Sequence, residues 1–258
     1  MLNHKVNIIV SLTVFLLLAV AVFCYNISWW YLLFPVVLFA IVAGVGSAFV
    51  WTGYHIRIIC SNPNVKDNVV AITFDDGPTL HTKKVLELLE KYGYKATFFC
   101  IGSQIEKYPE VLQRIVDEGH SIGNHTYSHS PKMGFFGKSH LLQELDDTNK
   151  VIKQTTGKVP LFFRPPYGVT TPNLAYALRK TGHKVIGWNI RSLDAVLKDE
   201  AHIFQRIKDR LKPGSIILLH DTSQKTVNVL EQLLVLLQEN NYRAVTVDEL
   251  LNITAYEE

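Results

Sequence analysis

From Val6 to Tyr54 the chain carries no Asp, Glu, Lys, Arg or His, and no other feature narrows its folding so far. Crossing a bilayer takes about 20 apolar residues in a helix, because no water in the hydrocarbon core satisfies free backbone groups. The run is too long for one such helix and suits two. Asn26-Ile27-Ser28 breaks it, and Trp29, Trp30 and Tyr31 follow as an interfacial aromatic belt. Residues 1–54 therefore read as a two-span membrane anchor, a helical hairpin with spans near Val6–Tyr25 and Trp29–Trp51. Pro35 falls early in the second span, where a kink is tolerated. A cleaved signal peptide with Lys5 as its basic flank accounts for the first segment but not the second. The expected location is the cytoplasmic (inner) membrane. Lys5, Arg57 and Lys66 lean toward a cytoplasmic soluble part, a cell-wall substrate requires the opposite side, and the sequence leaves the side open.

Residues 55–67 read as a linker, with SNPN (61–64) as its turn. The remainder is long enough for one well-packed domain. Its charges nearly cancel and form no basic stripe, which argues against nucleic acid as a partner. Cys24, Cys60 and Cys100 are scattered and odd in number, so neither a disulfide framework nor a Cys-x-x-Cys metal site is indicated. Oligomeric state is not legible.

Within this part, short β-branched or aromatic runs alternate with helical patterns. The strands read as 69–74, 96–101, 120–124, 161–163, 184–190, 215–220 and 242–247. The helices read as 83–93, 109–119, 141–157, 172–182, 201–214 and 226–240. Such alternation means βαβ units and a parallel α/β sheet, either closed as a barrel smaller than the eight-stranded form or left open. In both cases polar side chains at the C-terminal ends of the strands mark the functional face.

Those ends carry a consistent set. Asp75 and Asp76 follow the first strand, His125 and His129 the third, Arg164 the fourth, Asp194 the fifth, and His220 ends the sixth. On a helical turn, the i, i+4 spacing of His125 and His129 puts both rings on one side. With Asp76 they make two imidazoles and one carboxylate, a three-ligand set that leaves an open position, as at catalytic zinc. This also gives a reason for adjacent carboxylates. A cation held by Asp76 removes the repulsion between them and frees Asp75 to act as a general base toward water. His220 can protonate a leaving amine, with Asp194 holding the ring charged. Arg164 can pair with Asp75, and the backbone N–H of Tyr167 in PPYG can face a developing oxyanion.

FDDGP (74–78), HTYSH (125–129), RPPYG (164–168), SLDA (192–195) and LLHD (218–221) resemble the five ordered motifs of the polysaccharide deacetylase family, the NodB-homology domain. The resemblance implies a distorted (β/α)7 barrel over residues 68–252 and hydrolysis of N-acetyl, sometimes O-acetyl, groups on sugars. It also implies Asp75 as base, Asp76, His125 and His129 as metal ligands, Arg164 as orienter of the base, Tyr167 main chain in the oxyanion hole, and Asp194 tuning the acid His220. One departure stands out. The family's fourth motif often has an acid three residues before its Asp and a Trp after it, where this chain has Arg191 and Ala195. Loss of that Trp removes an aromatic wall beside the acid.

The expected protein is thus a membrane-anchored hydrolase using a divalent ion, zinc by preference. Its substrate is an acetylated amino-sugar polymer such as peptidoglycan. Two other readings are a deacylase of a lipid-linked sugar, a glycolipid brought to the site by the hairpin, and a non-catalytic sugar-binding module. The complete set of ligands, base and acid argues against the last.

Overall fold

The computed structural model describes residues 3–257. Two antiparallel helices come first, α1 (His4–Tyr25) and α2 (Leu33–Ala48), joined through a 3₁₀ turn at Trp29–Leu32. Segments His4–Tyr25 and Trp29–Ala48 are long and apolar enough to cross a membrane, and their side chains lie largely exposed. The second helix stops three residues short of the expected Trp51. A 3₁₀ turn at Val50–Thr52 and a left-handed Gly53 bring Tyr54 back against the hairpin. There Asn7 donates from Nδ2 to the Tyr54 hydroxyl at 2.7 Å, and the His4 N–H donates to the Tyr54 carbonyl.

The rest of the chain alternates as the sequence pattern predicts. In order it runs β1 (Ile58–Ile59), β2 (Val69–Asp75), α3 (Leu80–Tyr92), β3 (Ala96–Cys100), α4 (Gly102–Ile105), α5 (Pro109–Asp117) and β4 (Ser121–Asn124). Next come α6 (Lys138–Thr156), β5 (Phe162–Phe163), α7 (Pro172–Thr181), β6 (Lys184–Ile186), β7 (Ile190–Arg191) and α8 (Glu200–Lys208). The chain closes with β8 (Ile216–His220), α9 (Gln224–Glu239), β9 (Arg243–Val245) and α10 (Val247–Leu251). Pro109 and Pro172 open α5 and α7, where the missing N–H costs nothing.

All strands pair in parallel in the order β1-β6-β5-β4-β3-β2-β8-β7, with β9 added against the start of β2. The sheet curls into a distorted half-barrel. No ladder joins β1 at one end of this order to β7 at the other, so a seam is left open. β2, an interior strand flanked by β3 and β8, is buried along its whole length, which its unbroken apolar run requires of a strand covered on both faces. Phe74, Phe98, Ile72 and Leu219 pack there with Leu86 and Leu89 of α3 and with Leu230 and Leu233 of α9.

Two local expectations change. Ile58–Ile59, inside the expected linker, pair with Val185–Ile186 as an edge strand. The expected strand 184–190 divides into β6 and β7, because Gly187 to Asn189 leave one ladder for another: the Gly187 N–H donates to Ile59 O and the Asn189 N–H to Ile216 O.

Candidate metal and hydrolytic site

Register alone sets the base beside the acid. Asp75 is the Cα partner of His220 on β8 and of Phe99 on β3, so Asp75 and His220 end neighbouring parallel strands. The first residues beyond β4, β5 and β7 reach the same rim. It surrounds a cavity of ≈ 250 Å³ lined by Asp75, Asp76, His125, His129, Tyr167 and His220 among others.

Asp76, His125 and His129 offer three ligand atoms within 4.8 Å of one another. The Oδ1 atom of Asp76 lies 3.4 Å from His125 Nε2 and 3.2 Å from His129 Nε2. His125 Nδ1 donates to the Arg164 carbonyl at 2.7 Å, which fixes the tautomer and turns the Nε2 lone pair toward Asp76. Burial, then the charge of His125, pushes the His129 pKa down, so this ring stays neutral and free to coordinate. The carboxylate stays charged: burial works against it, but the neighbouring imidazoles, His125 first, hold Asp76 at about 2. This donor set fits a divalent cation such as zinc.

The two histidines do not sit on a helical turn, as their spacing suggests. Thr126 and His129 both have positive φ, 65° and 48°, and the segment is a loop. It is held from a distance. Glu144 on α6 accepts from the N–H groups of Tyr127 (2.9 Å) and Ser128 (2.8 Å) and from the Ser128 hydroxyl (2.7 Å). Asn124 accepts from the Thr126 N–H. The rings converge because the loop is pinned, not because of helical period.

Arg164 is fully buried. It donates from NH1 to Asp75 Oδ1 at 2.8 Å and to Thr73 Oγ1 at 2.7 Å, and from Nε and NH2 to the carbonyls of Ile186 and Gly187. Its guanidinium stacks over Phe99, 4.0 Å from the ring centre. A buried cation so fully bonded locks its partner carboxylate in one orientation. Asp75 Oδ2 is left toward the cavity, 3.8 Å from His125 Nε2.

Across the rim, Asp194 Oδ1 meets His220 Nδ1 at 2.7 Å, and Asp194 Oδ2 accepts from the His220 N–H at 2.8 Å. Ser192 and Thr226 complete the shell of this carboxylate. Burial disfavours a charged ring, but the hydrogen bond and charge of Asp194, with Asp75 and Asp76, outweigh it and raise His220 to about 9. Its Nε2 carries the proton on the cavity side. Tyr167, at φ 59°, sits in the turn after Pro166, and its half-exposed ring lies beside His129.

Some supporting residues have no signal in a sequence. Thr73, Glu144 and Thr226 act from other elements, and only a polar Thr inside an apolar strand hints at the first. Asp221, buried beneath Gly77, takes the Thr82 hydroxyl, and a Cβ at Gly77 would collide with its carboxylate. Burial raises Asp221 to about 7. An aromatic side chain does line the cavity: Trp188, packed so closely on Gly168 that a Cβ there would strike the indole.

Residues 62–186 match the family described as Polysaccharide deacetylase. A peptidoglycan-N-acetylglucosamine deacetylase of Bacillus cereus is 34% identical over 78% of this chain and 94% of its own length. The chain belongs to the polysaccharide deacetylase family. A second Bacillus cereus deacetylase of the same name is 35% identical over 69% of this chain and 66% of its own length. The chain thus spans just under two thirds of that relative, and 39% to 40% of longer family members from Bacillus subtilis and Listeria monocytogenes. Among solved structures, a peptidoglycan N-acetylglucosamine deacetylase in complex with a benzamide ligand superposes with a TM-score of 0.73 at 31% identity, covering 78% of this chain and 95% of that one.

Proposed function

We propose that this polysaccharide deacetylase family member is a metal-dependent hydrolase that removes the acetyl group from an N-acetylated amino sugar. The observation that carries the reading is the convergence of Asp76, His125 and His129 beside two groups of opposite duty, a carboxylate fixed by Arg164 and an imidazolium fixed by Asp194. The names of the relatives point to peptidoglycan sugars.

Asp76, His125 and His129 would hold the ion, which when bound supplies a Lewis acid for the acetyl carbonyl and acidifies water. Asp75 takes a proton from the attacking water through the oxygen that Arg164 leaves free. The backbone N–H of Tyr167 receives the oxyanion. His220, protonated at Nε2, gives its proton to the amine as the C–N bond breaks, since an unprotonated amine leaves poorly. The products are acetate, carrying the oxygen of water, and the free amino sugar. The apolar hairpin anchors this domain to the membrane. Carbonate extraction of membranes tests the anchor, and a C-terminal reporter fusion reads the side.

The direct test pairs metal analysis of the purified protein with acetate release from chitin oligomers and peptidoglycan fragments. One divalent ion per chain and measurable release are expected. Asp75→Asn should retain the ion and lose about 10³-fold or more in turnover. Unchanged turnover in that variant removes Asp75 from the role of base.

A further inference from the structure

A second cavity, ≈ 410 Å³ in volume, lies over the open seam of the sheet. Phe49 and Trp51 at the end of the hairpin form one wall, and Arg191, Arg206 and Arg210 form another. It shares Tyr167, Gly168, Trp188 and Arg191 with the acetyl-sugar cavity, so the two adjoin.

The three arginines make no ion pair among the described residues; nor do Arg57 and Arg179, but those two line neither this cavity nor the acetyl-sugar cavity. Arg114, Arg164 and Arg243 each meet a carboxylate. Arg206 and Arg210 donate to backbone carbonyls: Arg206 Nε to Arg191 O at 2.7 Å, and Arg210 NH1 to Arg206 O at 3.0 Å. Desolvation, then the charges of Arg210 and Arg191, push the Arg206 pKa down, as expected of like charges held together without a counter-ion. Guanidiniums gathered around a concavity match phosphate oxygens in both charge and fork geometry. The surroundings say which phosphate. Exposed Phe49 and Trp51 continue into the apolar hairpin on one side, and the candidate acetyl-sugar site opens on the other. Apolar tail, anion and sugar are therefore specified in that order.

We propose that the arginine cavity binds the phosphate or diphosphate that links a lipid tail to an N-acetylated amino sugar. The preferred substrate is then a membrane glycolipid rather than a finished polymer. The proposal rests on the deacetylase reading above and names the substrate class of that same site. The phosphate linkage stays intact, and only the amide is hydrolysed.

The test uses the full chain, metal-loaded, in detergent micelles, with four substrates: farnesyl diphospho-N-acetylglucosamine, N-acetylglucosamine 1-phosphate, chitotetraose and peptidoglycan fragments. Acetate release should show a KM for the prenyl-linked sugar about 100-fold below that for chitotetraose, with the soluble sugar phosphate between them. Arg206→Gln with Arg210→Gln should raise the KM of the prenyl-linked sugar about tenfold. Its kcat, chitotetraose turnover and the melting temperature should stay unchanged. Arg210→Gln alone, which leaves the Arg206 contact to the backbone in place, should give a smaller rise. Farnesyl diphosphate binding, followed by tryptophan fluorescence, should weaken in parallel and with rising salt.

Equal KM values for the prenyl-linked sugar and chitotetraose overturn the proposal while leaving the deacetylase reading standing. So do peptidoglycan fragments as the best substrate with no effect of the arginine pair. Phosphatidylglycerol vesicles competing as well as farnesyl diphosphate would mean a general headgroup site and also overturn it. Acetate released from none of the substrates sinks the deacetylase reading and the proposal together.

Discussion

Among the described residues, eight non-glycine positions have a left-handed backbone, and they divide by place. Asn26, Asn241 and Asn252 lie at or just beyond helix ends, and asparagine tolerates that conformation well. The other five, Asp76, Thr126, His129, Tyr167 and Leu193, all lie in the turns of the candidate site, and none is Asn or Gly. Elsewhere the chain uses the residue that suits the backbone. On the rim Thr126, Tyr167 and Leu193 hold the same backbone without that tolerance, at a cost on the order of 1 kcal/mol per position, while Asp76 and His129 bear it more easily. Bonds from Glu144, Asn124, Thr226 and buried Arg164 hold this arrangement in place.

The strongest blow to this contrast is removal of a ligand. Asp76→Ala should abolish ion binding and acetate release together while the circular dichroism spectrum stays native, because the rim is pinned by protein bonds. Collapse of the fold in the metal-free protein would show that the ion, not Glu144 and Arg164, supports the strained turns. Next comes Asp194→Asn. In the proposed mechanism the protonated ring serves as the acid, so its raised pKa predicts that activity falls as pH rises through about 9. Its stabilising charge pair is likewise complete below the ordinary imidazole value near 6.5 and lost through the same window. The variant should lower turnover about 10²-fold and draw the alkaline limb downward. NMR titration of the metal-free protein should find His220 near 9 in the parent and lower in the variant. The smallest effect sharpens the comparison itself. Leu193→Gly should leave stability within about 1 kcal/mol, relief of strain offsetting chain entropy, yet reduce turnover several-fold as Asp194 loosens. Asn252→Gly, measured by melting temperature and acetate release, should change neither.

The alternation of strand and helix and the polar set at the strand ends were legible because period and burial act locally. β2 reads as buried from its apolar run, and Pro109 and Pro172 announce their helices. The edge strand Ile58–Ile59 was hidden because two residues carry no period, and its pairing depends on β6, far along the chain. The split after Gly187 was hidden for a related reason, since the ladder changes partner while the composition stays apolar. For His125 and His129, spacing alone suggested a helical turn. The bonds from Glu144 that build a loop come from residues no local pattern connects.

The Thr170 N–H donates to the Ser47 carbonyl at 3.0 Å, and Val50 is buried where the hairpin meets the domain, close to Gly168 and Gly187. For a chain read as anchored, this makes the junction a stiff bracket rather than a leash. If the hairpin spans a bilayer, the fold itself fixes the height of the pocket above the lipid surface, and the pocket reaches only sugar presented at that level.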